Sequence, residues 1–174
     1  MPSILIAVAA VGGGLAVLYA FLKARWIYRL KVENATLIRI SGYIAEGAEA
    51  FLTREYKVLV PFVAIAALFL AVANRGPLRL QAISFALGAL CSAAAGWFGM
   101  KVATAANSRT AHAAETGIDG ALRVSFAGGS VMGMTVVGLA MLGISVVLAA
   151  GIRLFGDGMG MLHDTVFQIG RAHV

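Results

Sequence analysis

The sequence predicts an all-α, polytopic transmembrane helix bundle with four spans, and two observations support this fold class. Hydrophobic residues make up 60% of the 174 residues and charged residues only 13%, with a mean hydropathy of +0.89, whereas soluble domains average about 25% charged residues. The apolar residues also fall into four runs, each long enough to cross a hydrocarbon core of about 30 Å. The net charge is +6. The Lys and Arg residues lie in short segments between these runs, where basic residues set the orientation of the spans. We therefore expect no nucleic-acid partner.

The first span covers approximately residues 4–22 and contains no charged residue. Four basic residues follow it directly: Lys23, Arg25, Arg29 and Lys31. The stretches 23–39 and 101–123 together hold eight Lys and Arg, whereas the turn at 74–79 holds two. Because basic residues are retained in the cytoplasm, we expect an integral membrane protein of the bacterial inner membrane with its N-terminus outside.

The second helix is expected to start near Ala35 and end near Asn74, with a cytoplasmic extension over 35–49, a span over 50–73 and a kink at Pro61. Its inward stripe contains Ile44, Ala48 and either Phe51 or Leu52. Glu55 falls on the same stripe. Its carboxylate could lie on an ion path, but a structural pairing with a basic residue of a neighbouring helix is the preferred interpretation.

Two more carboxylates, Glu46 and Glu49, are three residues apart on this helix. Paired carboxylates could bind Mg²⁺ or relay a proton. The preferred interpretation is an interfacial helix face on which they pair with basic residues, namely Arg39, Arg54 or Lys57.

The third span, 80–100, places a small residue at every fourth position, which predicts a seam of close helix packing: Ser84, Gly88, Ser92 and Gly96. The fourth span, 124–152, contains a GxxxG pair, Gly129 and Gly133, followed by Gly138 and Gly143. The Gly128–Gly133 stretch lacks the Lys-Ser/Thr ending of a phosphate loop, so helix contact is the better interpretation. The single cysteine, Cys91, is interpreted as a packing residue.

The polar segment 101–123 is expected to be helical and cytoplasmic. Its basic residues Lys101, Arg109 and Arg123 could attract an anionic substrate, although the distribution of charge across the membrane explains them equally well and is preferred. His112 has no Cys or second His at ligand spacing, so we interpret it as a solvated loop histidine.

The end of the chain has no strong pattern. Residues 154–168 are expected to form a loop after the fourth span. The last six residues, 169–174, read IGRAHV, which one frame of a common sequencing adapter encodes. We therefore expect this segment to be a sequencing artefact and exclude it from the fold.

Three stretches together resemble the membrane-integral, ion-translocating inorganic pyrophosphatases. They are IAEGAEAFLTREYK at 44–57, GMKVATAANSRTA at 99–111 and FAGGSVMG at 126–133. They occur in the family's order and spacing, within a resemblance that covers roughly residues 4–150 and corresponds to the first four helices of the family.

The resemblance implies a parent protein of roughly sixteen spanning helices, usually a homodimer, that hydrolyses cytoplasmic pyrophosphate with Mg²⁺ and moves protons or sodium ions out of the cell. The family's Asp-rich catalytic motifs do not occur in this chain, and its Asp119, Asp157 and Asp164 are isolated. The resemblance therefore implies a supporting segment with no catalytic, cofactor-binding or metal-binding residue of its own, inactive alone. It leaves potassium dependence open. The alternative is a self-contained four-helix membrane protein, such as a small transporter subunit or an assembly factor.

Overall fold

A computed structural model describes residues 2–74 and 80–155, which form four α-helices. These are α1 (Pro2–Arg29), α2 (Ala35–Ala73), α3 (Leu80–Ala114) and α4 (Ile118–Phe155). All four are long and apolar enough to cross a membrane, and the described ranges contain no strand. The predicted all-α bundle with four spans is therefore confirmed.

The helix bounds refine the sequence-based expectations. α2 covers 39 residues from Ala35 onwards, as predicted, and continues through Pro61. The polar segment 101–123 is divided between two helices, since α3 runs on to Ala114 and α4 already begins at Ile118. Gly117 lies between them with φ of +150°, a backbone conformation that residues with a Cβ rarely adopt.

The end of α4 also differs from expectation. Leu154 and Phe155 still belong to α4, so the predicted loop at 154–168 begins inside the helix. The rest of that loop and the expected artefact at 169–174 lie outside the described residues.

The packing order across the bundle is α2, α3, α4, α1, because α3 packs on α4, α4 packs on α1, and α2 packs mainly on α3. The core is built from small side chains around the fully buried Ile27, Val102 and Val131. Alanines on all three contributing helices complete it: Ala20, Ala24, Ala106 and Ala127. Since lipid is as apolar as these side chains, close van der Waals contact between small residues drives helix association.

A close helix approach joins α1 to α4 at Gly13 and Gly138. A Cβ added at Gly138 would lie 2.7 Å from Cγ2 of Val17 and 2.9 Å from the carbonyl oxygen of Gly13. A Cβ on Gly13 would in turn lie 2.9 Å from the carbonyl oxygen of Gly138. Both glycines are therefore required for the two backbones to touch.

The predicted contact at Gly129 and Gly133 is not observed in the described residues. Both glycines face open space, whereas Gly128 packs against Ala106, where an added Cβ would lie 2.8 Å from the alanine Cβ. Adjacent helix positions are rotated by about 100°, so the face that meets α3 is the one next to the GxxxG face.

The predicted seam on α3 is only partly closed. Ser84, Gly88 and Ser92 line an open, mostly apolar groove between α3 and α4 of about 410 Å³, which Cys91 also borders. Gly96 instead faces α2, and a Cβ added there would lie 3.4 Å from the hydroxyl of Tyr56.

Candidate functional site

The polar side chains of the described residues concentrate where α1 and α3 end and α2 and α4 begin. The α1–α2 linker and the α3–α4 turn meet there, so the basic stretches 23–39 and 101–123 lie at the same end of the bundle. The phenol of Tyr28 donates a hydrogen bond to the carbonyl oxygen of Lys101 at 3.3 Å, which joins the end of α1 to α3. This polar end is the candidate site.

Arg109 on α3 closes the C-terminus of α1. Its Nε donates to the carbonyl oxygen of Leu30 at 3.1 Å and its Nη2 to that of Tyr28 at 3.4 Å. The guanidinium also lies 5.7 Å from the centre of the Tyr28 ring. The last carbonyls of a helix have no partner within the helix, and a positive charge there interacts favourably with the helix dipole. Arg109 is therefore occupied by α1 rather than free to bind an anion.

Asn34 joins the start of α2 to the end of α3. Its Oδ1 accepts from the backbone N–H groups of Thr36 and Leu37, at 3.0 and 3.3 Å, which makes it the N-cap of α2. Its Nδ2 donates to Oε1 of Glu115 at 3.2 Å. The second Glu115 oxygen, Oε2, lies 3.2 Å from Nδ1 of His112. One carboxylate thus links the start of α2 to the last turn of α3.

His112 is half-buried beside Glu115 instead of lying in a solvated loop, because α3 extends through it to Ala114. The Nδ1–Oε2 pair is close but poorly aligned as a hydrogen bond. No group of three His, Cys, Asp or Glu side chains that could hold a metal ion occurs in the described parts of the chain.

A groove of about 370 Å³, lined by both apolar and charged side chains, separates the first half of α2 from the second half of α3. Glu49 and Lys101 line it, together with Arg109 and Ser108. The ammonium of Lys101 lies 4.3 Å from the centre of the Trp97 ring, a cation–π arrangement, and the Ser108 hydroxyl donates to its own helix. With Arg109 bound to α1, the other charged groups along the groove are the carboxylate of Glu49 and the ammonium of Lys101.

The remaining candidate carboxylates of α2 lie on its exposed side. Glu46 and Glu49 border the same shallow depression as Arg54 and Lys57, as the preferred interpretation of an interfacial face requires, but no ion pair joins them within the described residues. Glu55 is exposed and does not point at α3. The neighbouring Tyr56 faces α3 instead, where its hydroxyl donates to the carbonyl oxygen of Ala93 at 2.6 Å.

Sequence reasoning missed three of the groups that hold this end and the middle of the bundle together. Asn34 was given no structural role from the sequence, although an Asn directly before an apolar helix is a recognisable N-cap. The role of Arg109 at the end of α1 gave no local signal, since the two α1 carbonyls that it binds are 79 and 81 residues away in sequence. Tyr56 could have been found as the one polar aromatic group on the α3-facing side of the span.

Four apolar helices whose polar groups serve mainly as caps and helix contacts define a polytopic membrane protein. The chain belongs to the inorganic H⁺ pyrophosphatase family, whose model matches residues 14–169. The membership agrees with the resemblance carried by the stretches at 44–57, 99–111 and 126–133.

The similar proteins include both proton and sodium pumps. The chain is 43% identical over 122 residues to a "putative K(+)-stimulated pyrophosphate-energized sodium pump" of Clostridium tetani, which covers 70% of this chain and 18% of that protein. It is 39% identical over 142 residues to a "K(+)-insensitive pyrophosphate-energized proton pump" of Methanosarcina mazei, with 81% and 21% covered. A "K(+)-stimulated pyrophosphate-energized sodium pump" of Thermotoga maritima is 42% identical over 127 residues, with 72% and 16% covered. The chain thus spans about a fifth of the length of these relatives.

Proposed function

We propose that this chain is the supporting membrane segment, the first four helices, of a pump that hydrolyses cytoplasmic pyrophosphate and moves protons or sodium ions across the membrane. The observation that carries the proposal is the family match over residues 14–169, in a chain that aligns with about a fifth of each pump. The same match favours this function over a self-contained four-helix protein.

In this proposal the segment supports the fold of the pump and supplies no catalytic or metal-binding group. Hydrolysis of a phosphoanhydride by such a pump requires Mg²⁺ to neutralise the substrate and carboxylates to position water. The described carboxylates are exposed on α2 or engaged at the helix ends, as Glu115 is with Asn34. We therefore place the Mg²⁺ and pyrophosphate sites in other parts of the parent protein and expect the chain alone to be inactive.

The proposal includes the setting of the parent protein. The chain would be inserted in a bacterial inner membrane as part of a homodimer, with its N-terminus outside. The structure brings the two basic stretches, 23–39 and 101–123, to one end of the bundle, as a single cytoplasmic face requires. Because the relatives include potassium-stimulated and potassium-insensitive pumps, potassium dependence and the transported ion are assigned to the rest of the protein.

A chimera tests the proposal. The matching segment of the Thermotoga maritima pump is replaced by residues 14–153 of this chain, and pyrophosphate hydrolysis is measured in washed membranes. We expect the chimera to hydrolyse pyrophosphate and the chain alone to show only the background of empty membranes. A chimera that inserts and assembles but never hydrolyses would contradict the proposed family role, as would Mg²⁺-dependent hydrolysis by the chain alone.

A further inference from the structure

The outward side of α1 carries an apolar stripe that ends in positive charge. The opposite side of α1, with Ala20, Ala24 and Ile27, is buried against the bundle. The outward stripe recurs every three or four residues, which keeps it on one face of the helix. Its members are all exposed: Ile4, Val8, Val11, Leu15, Leu18 and Leu22.

The same stripe continues directly into Arg25, Trp26 and Arg29, which are also exposed. Lys23 lies at the edge of the stripe, with its ammonium 5.5 Å from the centre of the Trp26 ring and 5.9 Å from that of Tyr19. We call Lys23, Arg25, Trp26 and Arg29 the α1 basic face. The first acidic residue of the chain is Glu33, beyond the end of α1, so nothing in this helix neutralises the α1 basic face.

We propose that the α1 basic face binds the headgroup of an anionic phospholipid whose acyl chains lie along the apolar stripe of the same helix. The three cationic side chains carry the charge that attracts an anionic phosphodiester. They also lie at the depth of the headgroups, because Trp and Tyr side chains next to them are typical of the membrane–water interface. The orientation of a span in the membrane depends only on how many basic residues its cytoplasmic segments contain. It does not require them to follow the lipid-facing stripe, with Lys23 between two aromatic rings. The proposal depends on membrane insertion of α1 and not on pyrophosphate hydrolysis.

The chain contains only two tryptophans, Trp26 and Trp97, so a Trp97→Phe variant reports from the α1 basic face alone. The test reconstitutes this variant of the full chain in phosphatidylcholine vesicles that contain a small fraction of brominated phosphatidylglycerol or, in parallel, brominated phosphatidylcholine. Bromine quenches indole fluorescence at short range. We expect brominated phosphatidylglycerol to associate with the α1 basic face near Trp26 several-fold more strongly than brominated phosphatidylcholine does, since each basic residue at a membrane surface contributes up to about fivefold. Added salt should lower this preference.

Two sets of substitutions give the proposal its controls. Lys23→Gln, Arg25→Gln and Arg29→Gln together should remove the preference, whereas Arg39→Gln, Arg54→Gln and Lys57→Gln remove the same charge from α2 and should leave it. Lys23→Arg, Arg25→Lys and Arg29→Lys together keep the charge and should preserve the preference for the anionic lipid. Circular dichroism confirms that each variant remains helical, so that loss of the preference cannot arise from unfolding.

Three results would overturn the proposal. Equal quenching by the two brominated lipids would show that no headgroup is selected. A preference that survives the triple substitution of the α1 basic face would place the binding elsewhere. Loss of the preference on addition of millimolar inorganic phosphate or pyrophosphate, at constant ionic strength, would show that the cluster binds a free phosphate rather than a lipid.

Discussion

At the scale of single residues, the contact between α1 and α4 depends on the absence of a side chain at Gly138. We expect Gly138→Ala to lower the free energy of unfolding by about 1–3 kcal/mol, the range typical of overpacking, because the new Cβ would press on Val17 and on the backbone of Gly13. Gly133→Ala on the same helix enters open space and should change stability by less than about 1 kcal/mol. Reversible unfolding in mixed micelles measures both. Equal effects of the two substitutions would contradict this packing.

Arg109 gives a second prediction at this scale. Arg109→Gln should cost about 1–2 kcal/mol of unfolding free energy, since the carbonyls that it binds at the end of α1 would lose a charged donor. Hydrogen exchange of the amides in the last turn of α1 should accelerate. Arg123→Gln, which removes an exposed charge from α4, is the control and should leave exchange in α1 unchanged. Unaltered exchange in Arg109→Gln would rule out the capping role.

The residue scale also shows what the sequence could and could not predict. Helical spacing limited the inward position on α2 to Phe51 or Leu52, and Leu52 is the buried one while Phe51 is 59% exposed. Spacing placed Glu55 on the inward stripe, but Tyr56 makes the contact with α3. Spacing fixes a helix face only to within about one residue, or 100°. The choice between neighbours such as Gly128 and Gly129 depends on which helix lies alongside, and a single sequence does not contain that information.

At the scale of elements, α2 is attached to the bundle along one side only. Its 39 residues span about 58 Å at 1.5 Å per residue, yet within the described residues it packs mainly on α3 and buries only Leu52. The length and bounds of α2 followed from the helical spacing of its apolar residues and from its apolar run. Its single neighbour could not be predicted, because its apolar residues are distributed all around the second half of the helix, as the exposed Val60, Phe62 and Leu68 show.

The attachment of α2 to α3 should therefore be sensitive to Tyr56. Tyr56→Phe removes the 2.6 Å hydrogen bond to the Ala93 carbonyl and should cost about 0.5–1.5 kcal/mol of unfolding free energy. Tyr43→Phe is the matched control, because Tyr43 is 67% exposed on the same helix. Unfolding in mixed micelles is again the measurement. A control variant as destabilised as Tyr56→Phe would contradict a specific role for this hydrogen bond.

The start of α2 is a separate attachment. Asn34→Ala should destabilise the helix start by about 1 kcal/mol, the usual cost of losing an N-cap side chain, and should also break the link to Glu115. Asn34→Asp would keep the cap but place a second carboxylate beside Glu115, so it should recover only part of the loss. Hydrogen exchange over the first turn of α2 distinguishes the two variants. Equal exchange in both variants would contradict the capping role, because only Asn34→Asp keeps a capping side chain.

At the scale of the whole molecule, the four helices form a row, with α2 at one edge and α1 at the other. The groove between α3 and α4 and the open face at Gly129 and Gly133 bring small residues to surfaces that nothing covers within the described parts. The fold class could be predicted from the sequence, since hydropathy identifies the four spans. The family could be predicted from the three stretches that resemble it. The contacts at the polar end could not be predicted, because they join groups far apart in sequence, such as Arg109 and Leu30.

The central claim is that this segment supports a pyrophosphate-driven pump without taking part in its chemistry. The most direct test replaces Glu46, Glu49 and Glu55 by Gln in the chimera with the Thermotoga maritima pump and measures pyrophosphate hydrolysis and ion transport in sealed vesicles. The account predicts that both activities stay within a few-fold of the unsubstituted chimera. Loss of hydrolysis by two or more orders of magnitude, in a chimera that still inserts and assembles, would contradict it, because a catalytic group typically contributes about 10²–10⁴-fold.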